Sequence, residues 1–183
     1  MGRTSGALQL GYQYFSSTLG WIFLAAGSEG ICLVHFCGSA PPSRETCEDL
    51  LSQVMFGATA SLSREHPLLR EAEQAILAYL HHHQPVPSFP LDLRAGTSFQ
   101  RQVWQALRHI PFGQTRSYLQ VAQSIGRPQS ARPVGQACGK NPIPIFIPCH
   151  RVISADGRLG GYSGGIHIKQ ALLSAENAER VIA

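Results

Sequence analysis

The stretch Asn141–Val152 constrains this chain more than any other part of the sequence. Its three prolines restrict the backbone within an apolar run whose composition predicts burial, and the run leads directly into Cys149, His150 and Arg151. A thiol is a nucleophile only as the thiolate, and a neighbouring base or cation lowers its pKa enough to supply that form at neutral pH. Cys149 is therefore a candidate nucleophile, and His150 is a candidate base.

Two other interpretations of Cys149 stay open at this point. It could be a small buried apolar residue, since free cysteine is among the most buried residue types. It could also be a metal ligand, although no Cys-x-x-Cys or His-x-x-x-His spacing lies near it. In a strand, Cys149 and His150 would point to opposite faces, which argues against a direct hydrogen bond between them. If the two cooperate, a turn or a bridging water must connect them.

The charge is distributed unevenly along the chain. Residues 1–95 contain five Lys or Arg and eight acidic residues, whereas residues 96–183 contain ten and three. The net charge thus changes from −3 to +7, which predicts a neutral-to-acidic scaffold domain over 1–95 and a domain over 96–183 that meets a polyanion, most simply nucleic acid. A solvated basic face without a ligand is the alternative.

Cysteine usage and apolar patterning indicate the compartment. Five cysteines without framework spacing are typical of reduced thiols in a cytosolic-type environment. No signal peptide is recognisable, and Gly27–Glu29 interrupt the apolar stretch around 21–36 before it reaches membrane-spanning length. We expect a soluble, cytoplasmic protein, associated with the nucleoid if it is bacterial.

The first 95 residues predict a small antiparallel sheet with helices. Glycine turns separate three runs rich in aromatic and β-branched residues, namely Leu8–Phe15, Trp21–Ala26 and Ile31–Phe36. Helices are predicted over Arg44–Phe56 and from Pro67 to about residue 80, and residues 86–96 predict a linker with one short strand. The histidines at 81–83 are interpreted as solvated or helix-capping, with metal binding as the alternative. Nothing in this part predicts a catalytic residue.

Residues 97–138 predict three short helices. Thr97 or Ser98, Ser117 and Ser130 are the predicted caps of Phe99–His109, Tyr118–Ile125 and Ala131–Cys138. The last two helices, joined by a glycine-containing turn, form a helix-turn-helix whose second helix can enter a DNA groove. Arg132 would lie in the first turn of that second helix, at the end that approaches the bases.

Two features follow the central stretch. A glycine-rich loop over 159–165 contains Tyr162 and Ser163, and its backbone donors could approach a flat ligand, unless the loop is only a flexible connection. The last helix, about His167–Asn177, carries Glu176 late in an apolar sequence. Such a carboxylate is usually exposed, but it could instead orient an imidazole within a nucleophile, base and acid set.

Together these motifs resemble the O6-alkylguanine-DNA alkyltransferase family. The resemblance rests on Asn-Pro-Ile-Pro-Ile-Phe-Ile-Pro-Cys-His-Arg-Val, on Ser-Ala-Arg-Pro-Val-Gly before it, and on Tyr-Ser-Gly-Gly and Leu-Leu-Ser-Ala-Glu after it. It runs from Thr97 to Glu176 with nearly uninterrupted spacing, while the first ninety or so residues resemble the family only in outline. It implies a ribonuclease-H-like α/β domain with a small antiparallel sheet, followed by a helical, winged-helix-like DNA-binding domain.

The resemblance also implies a reaction. Members of this family flip an alkylated base out of double-stranded DNA and transfer the alkyl group irreversibly to their own cysteine, in a single turnover. The implied substrates are O6-alkylguanine and O4-alkylthymine, and no cofactor, metal, membrane or oligomer is expected. The implied catalytic set is the acceptor Cys149, His150 taking the thiol proton through a water, Glu176 fixing the histidine tautomer, and Asn141 fixing the active-site turn.

Further residues match the family's DNA and base contacts. Arg132 matches the arginine that fills the space left by the flipped base, and Tyr118 matches the tyrosine that crowds the phosphate and contacts that base. Ser130 and Ala131 complete the implied DNA-binding set, while Tyr162, Ser163, Val152 and Gly164 form the implied substrate pocket. Pro133 and Leu119 depart from the family pattern, which affects the details of DNA contact and not the chemistry.

The main alternative is a helix-turn-helix DNA-binding damage sensor or redox regulator without alkyl transfer. In such a protein Cys149 would be a structural or redox-sensing thiol. The sequence favours the enzyme, because a regulator has no need of His150, Asn141 and Glu176 beside the cysteine.

Overall fold

The computed structural model describes residues 9–54, 59–62 and 66–176, which belong to two compact units. Unit 1 lies within Met1–Gln74 and Phe89–Ala95, and unit 2 lies within Ala75–Ser88 and Gly96–Ala183. The sequence analysis assigned residues 75–88 to the N-terminal domain, whereas in the structure they belong to unit 2. Among the described residues, no helix has both the length and the apolar character needed to cross a bilayer.

Unit 1 contains a four-stranded sheet. Its strands β1 (Gln9–Ser17), β2 (Gly20–Gly27) and β3 (Gly30–Gly38) form the predicted antiparallel meander. A fourth strand, β4 (Thr59–Leu62), pairs in parallel with β1 and was not predicted, giving the order β3-β2-β1-β4. The short strand predicted within 86–96 is a single bridge between Leu91 and Ile31.

A glycine permits that bridge. A Cβ on Gly30 would lie 2.2 Å from the carbonyl oxygen of Pro90, so only glycine lets the 89–95 segment run this close to β3. The neighbouring Ile31 amide donates to the same carbonyl at 3.0 Å. The linker is thereby fixed to the sheet of unit 1.

Helix α1 (Arg44–Ser52) covers one face of the sheet. The side chain of Ser43 accepts a hydrogen bond from the Thr46 amide and caps the helix. Buried residues on α1 pack against apolar sheet residues in a cluster that comprises Leu10, Phe23, Ala25, Cys32, Leu33, Cys47, Leu50, Leu51 and Val54. The helix ends at Ser52, and the predicted end at Phe56 lies outside the described residues.

Helix α2 (Pro67–His82) begins in unit 1, and its last eight residues belong to unit 2. In unit 1 the buried Gln13 side chain donates to the Leu69 carbonyl at 3.0 Å and to Glu73 at 2.9 Å. The buried positions 69, 72, 76 and 79 recur with helical spacing. The last of these positions is Tyr79, and it lies in unit 2.

Unit 2 is mainly helical. Its helices are α3 (Ser98–Leu107), α4 (Tyr118–Ser124), α5 (Ala131–Gly139) and α6 (Ile166–Ala175). Thr97 and Ser117 cap α3 and α4 in reciprocal capping boxes with Gln100 and Gln120. The prediction that Ser130 caps α5 was wrong: its φ and ψ of −100° and 25° are not the extended conformation of a capping residue, and its side chain makes no capping hydrogen bond.

A short parallel strand pair brings two distant parts of unit 2 together. Strand β5 (Arg116–Ser117) pairs with β6 (Val152–Ile153), with Arg116 opposite Val152. The residue after β5 is the first residue of α4, and the residue before β6 is Arg151. The pairing therefore holds the start of α4 beside the end of the Cys149–Arg151 segment.

Candidate functional site

Asn141 ties the loop before Cys149 together. Its Nδ2 donates to the Ile147 carbonyl at 2.8 Å and to Cys149 Sγ at 3.0 Å, and its Oδ1 accepts from the Ile143 amide at 3.0 Å. Asn141 is buried, so these bonds are shielded from competing water. One side chain thus fixes both the shape of the loop and the position of the sulfur.

The same loop contains a strained residue. Ile145 is buried and has a φ of 74°, in the left-handed region that β-branched residues avoid. Such a conformation costs about 1–2 kcal/mol and persists only where the surrounding structure enforces it. The Asn141 bonds and the turn from Ile147 N to Ile143 O, at 2.9 Å, enforce it here.

Cys149 opens a 3₁₀ turn, Cys149–Arg151, and does not lie in a strand. Only 3% of Cys149 and none of His150 is exposed to solvent. Because three residues make one turn of a 3₁₀ helix, the two side chains diverge by about 120° and not by the 180° of a strand. His150 Nδ1 is buried and has no hydrogen-bond partner among the described residues.

The surroundings of the thiol act on its pKa in opposite directions. Burial raises the pKa of Cys149, whereas the Asn141 amide, the Lys169 ammonium group and the Tyr162 hydroxyl lower it. The Tyr162 hydroxyl is buried and lacks a hydrogen bond of good geometry within the described part of the chain, but it lies close enough to the sulfur to exert this effect. The thiol is therefore neutral at rest, and the groups around it are ready to stabilise a thiolate.

Lys169 is the cation that acts on the Cys149 thiol. The residue is completely buried on α6, and its Nζ donates to the carbonyls of Val152, at 2.6 Å, and Leu159. Burial lowers the pKa of the Lys169 amine, while the thiols of Cys149 and Cys138 act to raise it. Lys169 thereby joins β6 to the start of the glycine-rich loop and places a charged amine near the sulfur.

His150 and Glu176 form a buried pair. His150 Nε2 lies 2.8 Å from Glu176 Oε1, and both side chains are inaccessible to solvent. Burial alone would raise the pKa of Glu176, but hydrogen bonds from His150 and Arg151 outweigh it and lower the pKa to about 2. Because the carboxylate can only accept, Nε2 carries the imidazole proton.

The other ring nitrogen follows from that assignment. Burial lowers the pKa of His150, so the ring is neutral at pH 7 and Nδ1 keeps an unprotonated lone pair. A buried lone pair next to Cys149 in the chain is suited to accept a proton.

Three donors besides His150 hold the Glu176 carboxylate. Arg151 donates from Nε to Oε2 and from Nη2 to Oε1, each at 2.9 Å, and its Nη1 donates to the Ile110 carbonyl at 2.6 Å. The Gly113 amide donates to Oε2 at 3.0 Å, and the Tyr79 hydroxyl donates to Oε1 at 2.8 Å. Glu176 is the C-cap residue that follows α6, so these bonds also anchor that helix end.

Tyr118 lies at the start of α4 near the sulfur. Burial and the neighbouring thiols of Cys138 and Cys149 raise its pKa. Its ring lies close to two glycines: a Cβ on Gly160 would come within 2.8 Å of the hydroxyl, and one on Gly135 within 3.6 Å of the ring. The ring therefore lies against the backbone of both α5 and the glycine-rich loop.

The predicted site residues fall into two groups. The buried group around the sulfur contains Asn141, Cys149, His150, Val152 and Glu176, with the half-buried Tyr118 and Tyr162 beside it. The second group lies toward the surface, with Arg132 exposed in the first turn of α5, Ser130 and Ala131 half-buried before it, Ser163 exposed and Gly164 half-buried. The hydrogen bonds above involve the first group, and Arg132 takes part in none of them.

The sequence analysis missed the roles of Lys169, Arg151 and Tyr79 in this site. Lys169 had a signal, because residues 172, 173 and 176 lie three, four and seven positions after it and complete one helix face. Tyr79 continues the buried face of α2, and a buried tyrosine hydroxyl needs a partner. Nothing in the local sequence indicated that its partner would be Glu176, 97 residues away.

Comparisons with known proteins bear on this site. A family model described as the DNA-binding domain of 6-O-methylguanine DNA methyltransferase matches residues 98–178. A methylated-DNA–protein-cysteine methyltransferase of Methanosarcina acetivorans is 38% identical over 168 residues, which cover 91% of this chain and 98% of that protein. The chain belongs to the methylated-DNA–protein-cysteine methyltransferase family.

Other members of this family agree with that assignment. A methylated-DNA–protein-cysteine methyltransferase of Mycobacterium tuberculosis is 59% identical over 88 residues, covering 48% of this chain and 53% of that protein. The crystal structure of Mycobacterium tuberculosis OGT in complex with DNA matches with a TM-score of 0.74 and 38% identity, over 93% of this chain and 94% of that chain. The chain therefore shares the mixed α/β fold of solved family members.

Proposed function

We propose that this protein repairs DNA by direct reversal, transferring methyl or larger alkyl groups from O6 of guanine to its own Cys149. O4-alkylthymine in double-stranded DNA is the second proposed substrate, and each molecule acts once. The observation that carries the proposal is the arrangement around Cys149. Asn141 donates a hydrogen bond to the buried thiol, His150 has an unpaired Nδ1 among the described residues, and its Nε2 bonds to the Glu176 carboxylate. The names of the relatives support the same reaction.

The reaction begins with loss of the thiol proton. His150 Nδ1 takes this proton through a bridging water, and Glu176 stabilises the imidazolium that forms. The resulting thiolate is stabilised most by the Asn141 amide, and then, in decreasing order, by Lys169 and the Tyr162 hydroxyl. The thiol is neutral at rest, and it becomes a nucleophile because its proton is transferred to His150 when the reaction begins.

The transfer itself is a displacement at carbon. The sulfur attacks the alkyl carbon, the S–C bond forms, and the C–O6 bond breaks with its electron pair left on guanine. The guanine anion takes up one proton, which balances the proton that the thiol lost to His150, and becomes the normal base. Cys149 becomes a thioether. Nothing in the reaction regenerates the thiol, so the protein is consumed. The nucleophile, base and donors are all side chains, so the reaction needs no cofactor or metal.

The burial of the sulfur determines how DNA must bind. Cys149 is 3% exposed and cannot reach a base inside an intact duplex, so the alkylated nucleotide must leave the stack, at a cost of a few kcal/mol. Arg132, exposed at the first turn of α5, is proposed to fill the vacated space, with Ser130 and Ala131 beside it at the DNA. The exposed guanidinium and the positive charge of residues 96–183 support this orientation.

The flipped base is proposed to lie against Tyr118. The Cys149 thiol helps to raise the pKa of Tyr118, and the Tyr162 hydroxyl lowers the pKa of Cys149, so both rings lie near the sulfur. The backbone of Gly160 lies beside the Tyr118 hydroxyl. Ser163 and Gly164 of the glycine-rich loop and Val152 after the 3₁₀ turn complete the proposed pocket.

Finer assignments are part of the same proposal. Unit 1 is proposed to be ribonuclease-H-like, on the basis of its meander and its parallel fourth strand. Unit 2 is proposed to be winged-helix-like, on the basis of the α4–α5 pair and the β5–β6 pair. The protein is proposed to act as a monomer, because the reaction needs only one cysteine. It is proposed to lie in the cytoplasm, where it can reach the DNA that it repairs.

Digestion of a treated oligonucleotide tests the proposal. A duplex containing one O6-methylguanine is incubated with the protein, hydrolysed to nucleosides and analysed by chromatography. We expect guanine to be restored in proportion to the protein added, up to one per molecule, and no restoration by Cys149→Ser. Binding without restoration would favour a damage sensor, and restoration by Cys149→Ser would exclude Cys149 as the acceptor.

A further inference from the structure

We infer that Tyr79 is a positioning residue for this reaction, whose hydroxyl holds Glu176 and thereby fixes the tautomer and orientation of His150. The inference rests on the proposed function. Tyr79 lies on the part of α2 that belongs to unit 2, and it is 1% exposed. It would therefore act on Cys149 only through Glu176 and His150.

The hydrogen bonds of Tyr79 define the role. Its hydroxyl lies 2.8 Å from Glu176 Oε1, 3.3 Å from His150 Nε2 and 3.3 Å from the Leu172 carbonyl oxygen. A hydroxyl has one proton, and the shortest of these contacts, to a carboxylate, receives it. The hydroxyl oxygen is then left with lone pairs facing His150 Nε2.

Nε2 thus has two acceptors in front of it, the Glu176 carboxylate and the Tyr79 oxygen. Both favour the tautomer with the proton on Nε2, and this is the tautomer that leaves Nδ1 free to take the thiol proton. Burial, together with the Glu176 charge, raises the pKa of Tyr79 far above its usual value. The hydroxyl therefore stays a donor wherever the protein is folded.

A purely structural role for the tyrosine makes a different prediction. The ring packs edge-on against Phe112, with centroids 6.1 Å apart, and against His150, at 6.4 Å. Phenylalanine would keep both ring contacts. If packing alone mattered, Tyr79→Phe would resemble the wild type, and the Leu172 carbonyl alone would be enough to satisfy the hydroxyl. In the structure the Leu172 contact is longer than the contact to Glu176.

Loss of the hydroxyl should loosen His150 without unfolding unit 2. Arg151 and Gly113 still hold Glu176 in Tyr79→Phe, so the carboxylate stays in place. The imidazole loses one of the two acceptors facing Nε2, and the tautomer with the proton on Nδ1 becomes populated. Removal of the partner that orients a metal-binding histidine typically costs 10- to 100-fold, and by analogy, with Glu176 still present, we expect about 10-fold here.

The test compares Tyr79→Phe with Tyr14→Phe. Tyr14 is a half-buried tyrosine of unit 1, packed edge-on against Trp21, and it controls for loss of a hydroxyl away from the site. Single-turnover rates of Cys149 alkylation by O6-benzylguanine are measured from pH 6 to 9. In parallel, the His150 ring nitrogens are observed by long-range ¹H–¹⁵N NMR of ¹⁵N-labelled protein.

The expected result has three parts. Tyr79→Phe reacts about 10-fold more slowly, its pH–rate profile differs from that of the wild type, and its His150 ¹⁵N shifts move toward the Nδ1–H tautomer. Tyr14→Phe should match the wild type in all three. In a Glu176→Gln background, Tyr79→Phe should have little additional effect, because the two residues act through one path.

Two results would overturn the inference. One is an unchanged rate, pH profile and set of ring shifts in Tyr79→Phe. The other, which needs no variant, is a wild-type His150 with its proton on Nδ1 at neutral pH. If the wild type transfers no alkyl group at all, the proposed function fails, and the ring shifts still decide whether Tyr79 sets the tautomer.

Discussion

At the scale of single residues, Lys169 shows what the site requires beyond its nucleophile and base. An ammonium group is costly to bury, and here it donates to two backbone carbonyls, those of Val152 and Leu159. Its effect on Cys149 gives a reason for retaining it, because a nearby positive charge favours the thiolate. A buried cation therefore offsets part of the penalty that burial imposes on the sulfur.

Replacement of Lys169 by methionine tests this effect. Without the charge, the pKa of Cys149 should rise further, so a smaller fraction is thiolate at any given pH. Alkylation of Cys149 by iodoacetamide, followed by peptide mapping between pH 7 and 9, should be slower in Lys169→Met at every pH, by about 10-fold for each unit of pKa change. Lys140→Met, at an exposed lysine after α5, is the matched control. Equal rates in the two variants would remove Lys169 from any electrostatic role.

At the scale of elements, the end of α6 is held by the turn that follows α3. Gly113 in this turn has a φ of 72° and donates its amide to Glu176 Oε2 at 3.0 Å. A Cβ at this position would also come within 3.1 Å of the Glu176 carbonyl oxygen. The turn thus supports the His150–Glu176 pair through its backbone.

Gly126 provides a control for a mutation at Gly113. It has a φ of 71°, and a Cβ there would meet nothing within 4 Å. Both Gly113→Ala and Gly126→Ala should lose about 1 kcal/mol of unfolding free energy from left-handed strain. Gly113→Ala alone should lose further unfolding free energy and also slow alkyl transfer. The reason is that its Cβ would crowd the backbone of Glu176, which holds His150. Equal losses of stability and rate in the two variants would contradict the proposed support.

Helix α5 is the element proposed to enter the DNA. Arg132→Ala should slow repair of O6-methylguanine in a duplex much more than it slows reaction with free O6-benzylguanine, because only the duplex requires base flipping. Arg108→Ala, at the exposed C-cap arginine that follows α3, is the control. Rates on both substrates are measured in single-turnover experiments. If Arg132→Ala slows both reactions equally, Arg132 has no part in flipping.

The sequence predicted elements well where local chemistry determines them. The meander, the Thr97 and Ser117 caps and the helix pair α4 and α5 all followed from glycine turns, capping side chains and apolar spacing. Strand β4 was missed because four residues carry too weak a pattern and the pairing with β1 is non-local. Ser130 was misassigned because side-chain type alone does not fix the φ and ψ that capping requires.

At the scale of the whole molecule, the sequence could not define which segments pack together. Residues 75–88 belong to unit 2, although composition and charge assigned them to the first domain. This is why Tyr79 was overlooked: its bonds to His150 and Glu176 join residues 71 and 97 positions apart. Cys149 and His150 could be proposed from the sequence because the chemistry that marks them lies within one short stretch, whereas Asn141 was assigned through the resemblance to the family.

The buried pair also predicts how stability depends on pH. The folded-state pKa values of Glu176, about 2, and of His150 lie below their usual values, so the unfolded chain binds these protons more tightly. The stabilisation is therefore complete above the unfolded pKa of each group, near 6.5 for His150 and 4.5 for Glu176, and is lost as the pH falls. The Glu176 shift corresponds to roughly 3 kcal/mol.

Urea unfolding of unit 2 measures this dependence. In a Trp21→Phe background, the fluorescence of Trp104 reports on unit 2, where its indole donates to the Ala137 carbonyl. The unfolding free energy should fall steeply between pH 4.5 and 2, and Glu176→Gln should be less stable at pH 7 but flatter over this range. Parallel pH curves for the two proteins would show that Glu176 does not carry the acid dependence.

The central claim is that Cys149 is the acceptor of the alkyl group, and intact-protein mass spectrometry tests it most directly. The protein is incubated with a duplex containing O6-methylguanine, its intact mass is measured, and it is then digested for peptide mapping. We predict a gain of one methyl group per molecule, located on Cys149 and absent in Cys149→Ser. An unchanged mass with intact binding to the duplex, or a methyl group on another residue, would contradict the proposed reaction.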